Sequence, residues 1–504
     1  PDSTKVLAIA NLAAQRYEAW SISALGVPTK ICEDAAPWVF SPDGSKIAFL
    51  SDLGQLGFSR LWQMNADGSN RQPILEVDAD SKISGVYWSP EGQHVGYLQE
   101  IQRGPNHEAI LGAIDLRTGT RQSLISNQDI KDFLWLPHGR IIYNVCQPDL
   151  HGLSCNFWDV FVNAETGRLQ AKPRRLTQWA GFSMVNATVT ADGNRLAFQR
   201  SSRTLDVYVA GFDRYSRKLA PPTQLTHEEG MNFPTGWTSD STAVLLGSNR
   251  TGQWEIFRQN LAGHSASPLA FGMETIPMQT PISPDRQWLM TVSYAKGSPW
   301  FLNLLYPSET GYSPPGALYQ VPISGGPREL VLDNVLGVRC TTLEPGFCAV
   351  LQKTADRDLI FRSIDPVRGE GRTLAQFKAK ESKANYDWDL APDGSSIDLF
   401  ELMGSTIHLI DLASGKMREI SVAGPGGLPS AKFSSDGFLA FKSMGAAEQR
   451  TMTLFYVDRL GRADALWKYS GAGQVANVSV SPNGRHVAFA ISKVNSNVWI
   501  LDNL

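Results

Sequence analysis

The feature that most constrains this chain is a turn that keeps returning. Ser41-Pro42-Asp43-Gly44 separates the apolar run PWVF from SKIAFLS. Degraded copies follow about every 48 residues, a period in the range of structural repeats. Glu91, His138, Asp192, Asp240, Asp285, Asp393, Asp436 and Asn483 stand in the place of Asp43. The interval from Asp285 to Asp393 is twice as long, and RCTTLEPGFCAVLQ within 334–377 fills the place of the missing turn, so the count is ten units. Each unit of such an array is one supersecondary element that cannot bury its apolar faces alone.

Periodicity describes the unit. Before the turn, Trp38 and Phe40 alternate as on a strand with one buried face, and Lys46-Ile47-Ala48-Phe49-Leu50 after it reads as the hairpin partner. Asp-Gly suits the corner because Gly accepts positive φ and Asp can bond its own backbone two residues on. A third strand follows in RLWQMNADG, WDVFVNAETG, QWEIFRQNLAG and TIHLIDLASG, and short stretches such as RQPILEV or PRRLTQ supply a fourth. Four antiparallel strands per unit match a propeller blade. Composition agrees: 42% hydrophobic residues, 14 Trp and 44 Gly provide core and turns, while 19% charged residues are too few for a disordered chain. The fold class is therefore all-β, a β-propeller of about ten four-stranded blades. A net charge of -3 offers no attraction for nucleic acid, and no apolar run reaches the ~20 residues that span a bilayer.

Ten blades fit two tandem rings better than one, because propellers carry about 4 to 8 blades. The seam is expected near 221–234. That makes residues 1–227 a first propeller, of an N-terminal partial blade plus four repeats, and 228–504 a second propeller of six repeats. A single ten-bladed propeller over 1–504 is the alternative. KVLAIANL, YEAWSISALG and PTKICED read as the second, third and fourth strands of the damaged first repeat, and NVWILDNL as a third strand with no successor. PTKICED is expected to supply the missing fourth strand and pair the two termini. The start, PDSTK, does not read as a signal peptide and suggests a portion of a longer polypeptide, with any membrane anchor or effector upstream.

The motif W/F-S-P-D-G-x-x-I-A-F, followed by Leu61-Trp62-Gln63-Met64-Asn65-Ala66-Asp67-Gly68, resembles the TolB-type, WD40-like propeller repeat over nearly the whole chain. More narrowly, LTQWAGF at 176–182, GWTSDS at 236–241, PISGGPRELVL at 322–332, YDWDLAPDGS at 386–395 and the ending SNVWILDNL are similar to extracytoplasmic propeller regions of bacterial membrane proteins. In those the propeller follows a eukaryotic-like serine/threonine kinase or a winged-helix regulator domain. The resemblance implies a sensing or scaffolding role without naming a ligand, and neither effector's motifs occur in this chain.

Cysteines bear on compartment. Cys146 and Cys155 flank QPDLHGLS, and Cys340 and Cys348 flank TTLEPGF, each pair on the two arms of an expected hairpin. Two bridges there would place the chain in the periplasm or another extracytoplasmic space; four reduced cysteines packed as small hydrophobes are the alternative. Cys32 is left over, expected buried in a fourth strand. Catalytic signals are sparse. There is no Gly-x-Ser-x-Gly elbow. The eight histidines are scattered without ligand spacing, with His94 and His486 expected to be exposed on hairpins. The turn Asp residues read as turn formers rather than a carboxylate ring. No catalytic residue, metal ligand or cofactor is assigned. Trp38, Trp88, Trp135 and Trp237 recur on first strands and are expected to pack between blades. Trp288, Trp300, Tyr306 and Tyr312, in or beside the excursion 294–316, are the candidate binding surface. The expected function is a non-enzymatic sensor or scaffold that binds a protein, peptide or glycan. The alternative is a propeller hydrolase or lyase with a metal-assisted channel site, which three or more convergent His, Asp or Glu side chains would favour.

Overall fold

A computed structural model of the chain describes residues 5–502 apart from 13–15, 24–25, 27, 34–35, 54–56, 104–105, 150–151, 191, 229, 264, 274–278, 295–314, 355–357, 366–368, 379–385, 402–403, 423–429, 435, 445–450 and 471–474. Among the described residues the chain is all-β, its one helical element being the short turn Pro137–Gly139. Successive antiparallel sheets, most of them four-stranded, follow one another along the sequence as propeller blades. One such blade consists of Ala36–Phe40, Lys46–Leu53, Phe58–Asn65 and Gln72–Glu76, paired in chain order. Six further four-stranded sheets repeat its meander among the described residues.

The recurring turn has a precise chemistry. The Ser41 hydroxyl donates to Asp43 Oδ1 at 2.5 Å and accepts from the Lys46 backbone N–H at 2.9 Å, while Asp43 also accepts from the Ser45 N–H at 3.0 Å. Thr190 with Asp192, Thr238 with Asp240, Ser283 with Asp285 and Ser481 with Asn483 build the same pair of bonds. Gly44 then takes φ 72, the left-handed conformation that glycine enters without steric cost. The hydroxyl two residues before the acid is therefore as much a part of the motif as Asp-Gly. These bonds, from the Ser41 hydroxyl first and then from Ser45, push the Asp43 carboxyl down to about 2. The turn carboxylates are structural groups.

The chain forms two compact units, one of residues 1–202 with 496–504 and one of residues 203–495. The sequence had placed a seam at 227/228. Both junctions fall inside long strands, Arg195–Asp213 and His486–Asp502. In the first unit the start of Arg195–Asp213 meets the end of His486–Asp502, with Arg195 and Asp502 paired at 3.0 Å. In the second, the end of Arg195–Asp213 meets the start of His486–Asp502, where the Phe212 N–H donates to the Arg485 carbonyl at 2.7 Å and Lys493 pairs with Asp206 at 2.7 Å. The expected pairing of the termini is not found among the described residues. Pro28–Glu33 pairs with Arg16–Ser23 in a three-stranded sheet, and the C-terminal strand takes its partners from Arg195–Asp213 and Val475–Val480. PTKICED is instead the last strand of its own sheet, paired with Arg16–Ser23.

Within the second unit, Val475–Val480 packs against both Ser430–Ser434 and Asn232–Trp237, so contact runs from the last sheet back to the first. The Trp237 indole N–H donates to the Ser479 carbonyl at 3.3 Å, and the Asn483 N–H to the Ser241 hydroxyl at 3.1 Å. In the first unit Trp88 makes the equivalent bond to the Val39 carbonyl at 3.3 Å. Trp88, Trp135 and Trp237 are buried between sheets, as expected, and the Trp38 side chain lies outside the described residues. The histidines differ from expectation. His94 is buried and stacks on Trp135 at 6.2 Å, and half-buried His486 stacks on Trp237 at 6.1 Å. Their place just after the turn faces the neighbouring sheet, and burial pushes both imidazoles below their ordinary range.

Two turn glycines separate conformational strain from crowding. Gly394 and Gly484 adopt φ 71 and 69, but a Cβ on Gly394 would meet the Phe347 ring at 2.7 Å, whereas one on Gly484 meets nothing within 4 Å. Gly484→Ala is expected to cost about 1 kcal/mol for the left-handed backbone. Gly394→Ala is expected to cost about 1–3 kcal/mol more through overpacking. Urea unfolding of the two variants measures the difference; equal losses would show that Phe347 yields freely.

Candidate functional site

Most charged side chains of the second unit lie on its surface, but one set gathers on the first strands of three successive sheets. Gly337–Cys340 carries Arg339, Tyr386–Leu390 carries Asp387 and Asp389, and Ser430–Ser434 carries Lys432. Alternation along Tyr386–Leu390 puts Asp387 and Asp389 on one face and sends Trp388 into the core. Arg339 Nε donates to Asp389 Oδ1 at 3.0 Å, and its Nη2 lies 3.7 Å from Asp387 Oδ1. Lys432 Nζ lies 2.9 Å from Asp387 Oδ2, and the Phe433 N–H donates to Asp389 Oδ2 at 3.0 Å. Arg339 also donates to Gln279 and to the Trp388 carbonyl. Ion pairs that cross from sheet to sheet fix one sheet against the next.

Beneath this network lies Asp398, wholly buried on Ser396–Glu401 and in register with Asp389. Burial first, and then the neighbouring Asp389 charge, raise its carboxyl well above the usual carboxylate range. With Asp398 protonated, two cations face two carboxylates and the set is neutral. Three acids do come together here, the number that would favour an enzyme. Their geometry is different from a reactive centre: Asp387 and Asp389 are held by Arg339 and Lys432, and Asp398 is closed to solvent. Among the described residues no group of three His, Cys, Asp or Glu side chains is arranged to hold a metal ion. A small apolar cavity of about 10 Å³ lined by Phe441, Met452, Leu454, Trp467, Val475 and Phe489 is far below the usual ligand-site range.

The sequence-derived surface residues fare differently. Trp288 opens the strand Trp288–Ser293, half-buried against the cluster containing Met290, Val292 and Leu318, with its backbone N–H on the Ser283 hydroxyl. Trp300, Tyr306 and Tyr312 lie outside the described residues. Both cysteine pairs are disulfides, Cys146 with Cys155 and Cys340 with Cys348, each joining register partners of one hairpin. Cys32 is a free, buried thiol on the last strand of the first sheet, pushed up by burial. Sequence reasoning missed the ion network. Its trace in the sequence was charged residues on first strands, as in YDWDL and AKFSS.

No family model and no curated protein matches the chain. Among solved structures it is similar to a putative TolB from Agrobacterium tumefaciens, 16% identical over 57% of this chain and 99% of that one, with a TM-score of 0.41. An oligogalacturonate lyase from Vibrio parahaemolyticus is 10% identical over 82% of this chain and 88% of that one, with a TM-score of 0.30. For the tricorn protease the identity is 10% and the TM-score 0.27, and the chain spans only 54% of that protein's length.

The network makes opposite demands on its members. A raised folded-state carboxyl stabilises below its unfolded value of about 4 and loses that contribution as pH rises through the folded value. Asp398→Asn is therefore expected to match the parent near pH 4 and to exceed it in unfolding midpoint at pH 7. A variant less stable than the parent at pH 7 would refute the buried neutral acid. Arg339→Met leaves Asp389 without a cation while Asp387 keeps Lys432, and is expected to cost about 3 kcal/mol, read as a lower urea unfolding midpoint.

Proposed function

We propose that this protein is an extracytoplasmic recognition module, the sensor or scaffold portion of a larger membrane-linked assembly, which binds a protein, peptide or glycan without transforming it. The observation that carries the reading is the pair of hairpin disulfides. Bridges of this kind persist in oxidising compartments and are rare in the cytosol. The commitment of Asp387 and Asp389 to cations, and the closure of Asp398, support binding over acid–base chemistry, which needs a titrating group within reach of substrate. We further propose one ring of blades per compact unit, a reading supported by the contact of Val475–Val480 with Asn232–Trp237.

Lysis of the native host in denaturant with an alkylating agent, followed by counting alkylated cysteines by mass, tests the compartment. One alkylated cysteine, Cys32, is expected; five would place the chain in a reducing space. Closing loops of 8 and 9 residues, the bridges are each expected to contribute about 2–3 kcal/mol, read as a lower unfolding midpoint in reductant. Peptide and glycan arrays test the role itself. Saturable binding without turnover is expected, and hydrolysis or elimination of any arrayed compound would overturn it.

A further inference from the structure

We infer that the outer edge of Ser496–Asp502 is a docking site for an extended acidic peptide segment of a partner protein, read through Arg200. The inference rests on the recognition role proposed above and specifies the class of ligand.

Among the described residues, the end of His486–Asp502 is strand-paired on one side, by Arg195–Asp213. Ser496 bonds to Gln199 and to Ser201, each at 2.7 Å, and Asp502 pairs with Arg195. On its other side no strand pairs with it among the described residues of this unit. The edge is also apolar: Val498, Trp499 and Ile500 are 75%, 45% and 62% exposed. Natural edge strands are usually guarded by a charge, a proline or a bulge, yet Ser496-Asn497-Val498-Trp499-Ile500-Leu501 carries neither charge nor proline. Free backbone donors and acceptors flanked by apolar side chains are the template used in strand addition.

Arg200 supplies the chemistry that selects the occupant. Its guanidinium lies between two rings, 3.2 Å from the Phe182 centroid and 4.2 Å from that of Trp499. Its Nε is buried without a hydrogen-bond partner, and no carboxylate pairs with it among the described residues. Aromatic faces hold the fork in place but leave its charge unbalanced, so a carboxylate can accept from it in the plane of the fork. Strands lie about 4.8 Å apart, which sets an added strand about 10 Å from Arg195–Asp213, within the joint reach of an arginine and a glutamate. Alternation places Trp499 on the face opposite Val498 and Ile500. The fitting segment therefore alternates acidic and apolar residues.

The test uses the full chain and a fluorescein-labelled decapeptide that alternates Glu with Val and Thr, read by anisotropy and by amide hydrogen exchange. Saturable binding is expected, with new protection at residues 496–502. Arg200→Gln and a Gln-for-Glu peptide should each weaken binding at least about tenfold, and together no more than either alone. Backbone N-methylation of the peptide should abolish it. The two altered peptides probe the same contacts with unaltered protein, so a misfolded variant does not shelter the idea. Absence of binding, or binding indifferent to these changes, would overturn it. So would protection of 496–502 that appears without peptide as protein concentration rises, which would assign the edge to a second copy. Saturable binding with protection mapped elsewhere sinks the docking site and leaves the recognition role standing, whereas cleavage of the peptide sinks that role.

Discussion

A sheet with two apolar faces cannot stand alone, and the rest of this structure follows from that constraint. Leu50 and Leu61 of one sheet share a cluster with Ile83, Val86 and Val95 of the next, and Phe400 and Ile407 share one with Phe433 and Phe438. Each sheet is thus half of two cores. Removing such surface from water is the dominant favourable term, and it is available only when neighbours stand in the right rotation. The Ser/Thr–Asp turn matters because it sets where the first two strands of each sheet start. A hydroxyl that donates to the acid and accepts from a strand N–H ties the corner to the hairpin it begins.

Apolar packing specifies little about relative position, since it is non-directional. Directional groups settle the remainder. Indole N–H bonds from Trp88 and Trp237 to carbonyls of the adjacent first strand fix one sheet against another. The network of Arg339, Asp387, Asp389 and Lys432 does so across three sheets. Buried ions of this kind add little net stability, because desolvation offsets attraction. Removing one partner is costly for the same reason, which makes the arrangement specific rather than strong.

Much of this was legible beforehand. The repeat period, the hairpin strands and the facing places of the two cysteine pairs follow from local pattern, because strand alternation and hairpin register put Cys146 opposite Cys155 and Cys340 opposite Cys348, whereas their oxidation does not follow from it. The environment of His94 was not legible. Its position after the turn reads as exposed, yet the neighbouring sheet covers it with Trp135. The acids were equally opaque: Asp43 and Asp398 are the same residue type on hairpins of the same design, one bonded by its own turn and exposed, the other sealed beside Asp389.

The sequence by itself determined the repeating unit, its turn chemistry and the cross-strand pairing inside each hairpin, because those depend on residues near one another in the chain. Tertiary structure decided which strands complete the last sheets. Arg195–Asp213 and His486–Asp502 find each other across almost three hundred residues, a pairing that no local pattern encodes. It also decided that Arg200 lies between Phe182 and Trp499. A side chain's solvent and charge environment is set by whatever the distant chain brings against it, and only the folded arrangement contains that information.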